Sequence, residues 1–198
     1  MIGVDSSMEM LEQALGKKAE SGYDILYLQQ DMREFELYGT VKAVVSVCDS
    51  INYILTEEDL EQVFACVNNY LDPGGLFLFD LKTIYYFRDV CGDCVLADSR
   101  EEGSLIWENI WFEEEQIIEY DLTLFIREQS GLYRREQELH YQRGYEIDTV
   151  RRILIQAGME WVSALDADTM KEPTESSERI YIIAREKGKK KQNEKQKG

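Results

Sequence analysis

Three short apolar stretches end on side chains that could do chemistry together. "IGVD" ends on Asp5, "LYLQQD" on Asp31, and "VVSVCDS" on the group Cys48–Asp49–Ser50. In sheets with parallel strands, ligands bind beyond the carboxyl ends of the strands. A carboxylate at one such end can accept hydrogen bonds from both hydroxyls of a ribose. One at the next strand end can accept from the amino group of a purine, while an apolar neighbour, here Met32, packs on the ring. A single strand-end Asp is more commonly a turn or helix-start residue, so the order and spacing of the set carry the reading. His140 is the only histidine, and its natural pKa suits proton transfer near neutrality. The competing assignment pairs it with a carboxylate on a partly exposed strand. Tyr85, Tyr86, Phe87, Trp107 and Trp111 could line an apolar pocket or pack one layer of the molecule on another.

The elements that must position these groups are legible from periodicity. Ser6 and Glu9 form an S-x-x-E capping box, and Met8, Leu11 and Leu15 recur at helical spacing. Gly22 ends that helix. "VKAVVSVCDS" is nearly continuous in apolar residues, the pattern of a strand buried on both faces of a parallel sheet. Thr56 caps a second helix striped by Leu60, Val63, Phe64, Val67 and Leu71, "DPGG" breaks it, and "LFLFDL" follows as a strand. Strands alternating with helices predict a doubly wound α/β sheet. Residues 104–142 change character: "IIEYDLTLFI" alternates strictly, and "LIWENIWF" and "LYRREQELHY" can pair with it. A three-stranded antiparallel meander is expected, turning near "EEEQ" and "QSG". Val150, Ile153, Leu154 and Ala157 then stripe a third helix, and "WVSALDA" and "RIYIIARE" are the last strands.

Composition limits the functional classes. The 198 residues carry a net charge of −17, although residues 187–198 hold six Lys against one Glu, so the rest is more acidic still. An acidic body repels phosphate backbones, which argues against nucleic-acid binding, and the Lys-rich tail is expected to be disordered. No stretch approaches the roughly 18 apolar residues of a membrane span, and the N-terminus does not read as a signal peptide. Four cysteines, with one C-x-x-C at Cys91 and Cys94 and the lone histidine far away, do not make a zinc site. A cytoplasmic protein with no metal is expected.

Taken together, "GVDSSMEMLEQA", "LQQDM", "VVSVCDSINYI", "YLDPGGLFLFDL" and "IYIIARE" resemble the class I S-adenosylmethionine-dependent methyltransferases, in the small bacterial group with an antiparallel insertion. The resemblance implies a Rossmann-like methyltransferase domain over residues 1–186, with 104–142 as a cap. It implies S-adenosyl-L-methionine as cofactor and a small-molecule acceptor. Asp5 would hold the ribose, Ser6 and Met8 the adenosine side, and Asp31 and Met32 the adenine. Cys48 and Asp49 would flank the methionine moiety. Ser50, Asn52 and Tyr53 would face the acceptor. Tyr85 and Trp107 would line its pocket, with His140, Arg143 and Tyr145 at the rim and His140 the candidate base.

The sequence departs from that pattern in one respect. The resemblance implies a first strand and a Gly-rich loop, about 40 to 50 residues of a strand–helix unit and leader, and no such motif occurs in the 198 residues. That strand would lie between "IGVD" and "VKAVVSV", so Val44, Val45 and Val47 are expected to lack a partner. Three accounts of this gap are weighed: a truncated enzyme, a shortened chain serving as a catalytically silent interaction module, and a homodimer that fills the gap. A nicotinamide dinucleotide domain also has an acid after its second strand, but it leaves "CDSINYI" and the meander unexplained.

Overall fold

The computed structural model describes residues 1–189. Strand β1 (Ile2–Asp5), helix α1 (Met8–Ser21) and strand β2 (Leu26–Gln29) form a βαβ unit whose two strands pair in parallel. Strand β3 (Val41–Ser46), helix α2 (Glu57–Tyr70) and strand β4 (Leu71–Lys82) form a second such unit. Helix α3 (Ile147–Gln156) leads into β9 (Met159–Asp166) and β10 (Arg179–Glu186), giving the order β3-β4-β10-β9, with β10 antiparallel to both neighbours. "DPGG" is a bulge inside β4: Val41 pairs with Leu71, residues 72–75 loop out, and pairing resumes at Ala43 with Leu76. Gly74 has φ 77°, a left-handed conformation that glycine adopts without strain.

The main core lies between this four-stranded sheet and α2 and α3. Phe77, Phe79 and Leu81 of β4 and Ile180, Ile182 and Ala184 of β10 meet Leu60, Val63, Phe64 and Val67 of α2 and Val150, Ile153 and Leu154 of α3, all buried. The alternate residues of both strands share this face, as the two-residue period of a strand requires. Thr56 caps α2 by accepting from the Asp59 amide.

Several expectations are corrected. The N-cap of α1 is Ser7, not Ser6: its hydroxyl accepts from Met10 N at 3.2 Å, while Asp5 Oδ1 accepts Ser7 N at 2.9 Å. Of the stripe Met8, Leu11 and Leu15, only Leu11 is buried, because α1 packs on a sheet of just two strands. β3 is not buried on both faces, since Val45 is 63 % exposed and Val47 is exposed as well. Among the described residues, its edge opposite β4 pairs with no strand, and neither does the edge of β1 opposite β2. The cap has four strands rather than three: β5 (Cys94–Ser99) joins β6 (Gly103–Phe112), β7 (Ile117–Arg127) and β8 (Tyr133–Arg143) in a continuous antiparallel sheet. Lys189, placed within the expected tail, donates from Nζ to the carbonyls of Asn69 and Leu71 (3.0 and 2.7 Å) at the end of α2. This is where a cation is favourable. The remainder of the tail, 190–198, lies outside the described residues.

Asp166 stabilises the turn after β9. Hydrogen bonds from the Ser177 hydroxyl and from the hydroxyl and amide of Thr169 lower its carboxyl from 3.8 to about 2. A depressed folded-state pKa gives stability that is fully present above the unfolded value and is lost as pH falls through the folded one. Asp166→Asn is therefore expected to flatten the decline in stability between about pH 4 and pH 2, measured by urea unfolding at each pH.

Candidate active site

The carboxyl ends of β3 and β4 and the amino end of β10 meet at one edge of the sheet. Immediately after β3, Cys48 and Asp49 both adopt left-handed backbone conformations, with φ of 66° and 64°. Two successive non-glycine residues there are unusual and persist only where the surroundings over-determine them. A 3₁₀ turn, Ser50–Tyr53, follows. Asp80 of β4 is fully buried; its Oδ1 accepts Asp49 N at 3.1 Å and its Oδ2 accepts Arg179 Nη1 at 2.8 Å. Arg179 Nη2 lies 2.8 Å from Asp49 Oδ1, and Lys82 Nζ lies 3.5 Å from Asp49 Oδ2 and 4.1 Å over the Tyr86 ring. These four charged groups come from two strands and the turn after β3, and they balance one another.

The cap closes over this edge. Tyr120 of β7 pairs in register with His140 of β8 and with Asn109 of β6, so all three share one face. Tyr120 is buried and packs edge-on to Trp107 at 5.5 Å; Tyr53 meets His140 edge-on at 6.0 Å. Burial, then the nearby Cys91 thiol, raises the Tyr120 phenol far above its ordinary range, and burial followed by the Asp49 carboxylate raises Tyr53. Both therefore stay protonated, as hydrogen-bond donors. His140 Nε2 is 3.2 Å from Glu138 Oε2, so the carboxylate pairing weighed above is present alongside the position facing Tyr53. Phe87, stacked on Trp111 and packed with Ile118 and Tyr120, joins cap to sheet. Tyr85 instead lines a shallow cleft of ≈ 620 Å³ with Arg88, Asp89 and Thr174 to Ser176.

Two expected acceptor-facing residues serve the fold. Asn52 is fully buried; its amide donates to the carbonyls of Lys82 and Arg143 (3.0 and 2.8 Å), and its carbonyl accepts Lys82 N at 2.9 Å. Tyr145 is buried with its hydroxyl donating to Ile54 O (2.6 Å) and set against Thr56 O (3.2 Å); burial pushes its pKa up to about 12. Arg143 donates from Nη1 to Leu55 O at 2.9 Å. Together they fasten the end of the cap to the Ser50–Tyr53 turn. Ser50 donates to Val47 O at 3.1 Å.

The residues expected at the nucleoside lie along the ends of β1 and β2. Asp5 uses Oδ1 for the α1 start, and its Oδ2 has no partner among the described residues. Ser6 and Met8 are exposed beside it. Asp31 is engaged at both oxygens by Arg33, at 3.0 and 2.6 Å, and this pairing lowers its pKa. Met32 packs on the main core. Sequence reasoning missed Asp80, Lys82 and Arg179. Their signal was charge interrupting the apolar run "LFLFDLK" and opening the last strand, but only the register that sets Lys82 beside Arg179 brings them together. Among the described residues there is no group of three or more His, Cys, Asp or Glu that could hold a metal, and no helix is long and apolar enough to cross a membrane.

A Rossmann-like sheet with strand-end acids under an antiparallel cap is an architecture of the S-adenosylmethionine-dependent methyltransferases, and comparison with known proteins agrees. The methyltransferase-domain family profile matches residues 1–75. A protein of Geobacillus sp. (strain WCH70) named as a methyltransferase is 34 % identical over 183 residues, 92 % of this chain and 74 % of the relative. YqeM of Bacillus subtilis (strain 168), likewise named as a methyltransferase, is 34 % identical over 92 % of this chain and 73 % of its own. The crystal structure of an S-adenosylmethionine-dependent methyltransferase from Clostridium acetobutylicum superposes with a TM-score of 0.86 at 26 % identity, over 94 % of this chain and 75 % of that one. The chain belongs to this methyltransferase family.

Proposed function

We propose that this chain carries the cap and most of the binding edge of an enzyme that methylates a small molecule held between Tyr53, Trp107 and the cap. The strained Cys48–Asp49 turn, at the end of β3 and near the aromatic face of the cap, carries this reading. The residues present suit the methyl donor. Asp5 keeps one carboxylate oxygen for ribose hydroxyls, and Ser6 and Met8 flank it. Met32 offers an apolar surface to adenine. Asp31 would share lone pairs already accepting from Arg33. Asp49 Oδ1 is buried and contacts Arg179 without an aligned hydrogen bond, so it retains accepting capacity.

When bound, S-adenosyl-L-methionine supplies an activated sulfonium methyl, which leaves alignment and water exclusion to the protein. The cap aromatics exclude water, the protonated phenols of Tyr53 and Tyr120 can orient acceptor oxygens or nitrogens, and His140 beside Glu138 can take the acceptor's proton. The four cysteines are free thiols, which suits a reducing cytoplasm. The edges of β1 and β3 that pair with no strand among the described residues, with Ile2, Val4, Val45 and Val47 exposed, suit one further parallel strand between them, which a second copy or another segment of the enzyme would supply.

Isothermal titration with S-adenosylmethionine tests the assignment. Asp5→Ala is expected to weaken binding by about 1–3 kcal/mol, the scale of a lost charge-assisted hydrogen bond. An unchanged dissociation constant would reduce Asp5 to a helix-start residue. If the monomeric chain shows no affinity for the donor, the silent interaction module becomes the better description.

A further inference from the structure

The cluster of Asp49, Asp80, Lys82 and Arg179 calls for an explanation that stability does not provide. Buried ion pairs are weak stabilisers, and apolar side chains of similar volume commonly replace them without loss. This cluster sits where the backbone is least relaxed. Asp49 is held at three points: its amide by Asp80 Oδ1, one carboxylate oxygen by Arg179, and the other by Lys82. Arg179 is the common member: its Nη1 donates a hydrogen bond to Asp80 Oδ2 and its Nη2 makes an ion-pair contact with Asp49 Oδ1, both at 2.8 Å. A lysine ammonium is a compact point charge without the planar guanidinium's reach, so it does not span two carboxylates at the fixed separation that Arg179 bridges. The arginine stands at the first residue of β10, paired with Lys82, which Asn52 secures through the Lys82 amide and carbonyl.

We propose that Arg179 is a positioning residue of the methyltransferase: by clamping Asp49 and Asp80 together it locks the left-handed Cys48–Asp49 turn in the shape that receives the methionine end of the donor. This rests on the reading that the turn flanks the donor. Asp80 acts as the intermediary, linking the guanidinium to the Asp49 amide. Lys82 completes the charge balance and, over the Tyr86 ring, ties the turn to the underside of the cap.

The test uses the full chain with three substitutions: Arg179→Lys, Arg179→Met, and the pair Arg179→Met with Asp80→Leu. S-adenosylmethionine affinity is measured by titration, thermal midpoint by calorimetry, and exchange of the Asp49 amide by NMR. Arg179→Lys should keep the fold, weaken donor binding at least tenfold and speed Asp49 exchange at least tenfold. Arg179→Met should lower the midpoint by leaving two carboxylates short of a partner. The double variant should recover much of that midpoint while donor affinity stays at least tenfold below wild type. A purely structural role predicts the opposite, with affinity returning as the midpoint returns, and that result overturns the proposal. Should the wild-type chain itself not bind the donor, the reading of the site fails on its own. Asp49 exchange then still decides the clamp: unchanged protection in Arg179→Lys refutes it.

Discussion

Asn52→Leu is expected to lower the stability of the chain by about 3–4 kcal/mol, because three backbone groups lose their partner and each unsatisfied buried group costs about 1–3 kcal/mol. Leucine has the same heavy-atom branching as asparagine, so the substitution removes the polar atoms while keeping the side chain's connectivity. The groups affected are the amide and carbonyl of Lys82 and the carbonyl of Arg143, which belong to the sheet edge and to the returning cap strand. Urea unfolding measures the effect. A loss below about 1 kcal/mol would mean that water or neighbouring donors replace the side chain. The same substitution should loosen the Ser50–Tyr53 turn, because Asn52 is its anchor to both layers.

The second large effect is expected in the core. Phe64→Ala should cost about 3–5 kcal/mol, the range for deleting a buried aromatic ring. Phe64 is fully buried on α2, with its ring centroid 6.0 Å from Phe77 and 5.3 Å from Phe79, and those two rings stack at 4.6 Å. The cavity would open where α2 meets β4, the strand that delivers Asp80 and Lys82. Denaturant midpoints with an unchanged m-value would show the loss to be one of stability alone.

Where periodicity and burial coincide, the sequence was sufficient to predict the element. "RIYIIARE" alternates and is β10 over those same residues, and Leu60, Val63, Phe64 and Val67 of the predicted stripe are the buried face of α2, while Leu71 opens β4. Elsewhere, tertiary context decided. The apolar stripe of α1 reads as well as that of α2, yet Met8 and Leu15 are exposed because only two strands lie beneath them. β5, "CVLADS", lacks a strict alternation, and its strand character comes from pairing with β6. At the site, strand-end positions were legible because a parallel sheet puts them at one edge. Side-chain partners were not: Asn52 turned inward to backbone, and Arg179 reached Asp80 across 99 residues of sequence.

The two-stranded sheet of residues 2–29 has a further consequence. Its strands hydrogen-bond to each other and not to β3, and Leu11 is its one buried apolar side chain. Such a segment behaves as a separate cooperative unit, opening more readily than the body built on α2, α3 and β4. Amide exchange should therefore run fastest in β1, α1 and β2 and slowest in β4 and β10. A donor that touches Asp5 on one unit and Asp49 on the other would join the two, so its binding would register as slowed exchange in the first thirty residues, many of them far from any ligand atom.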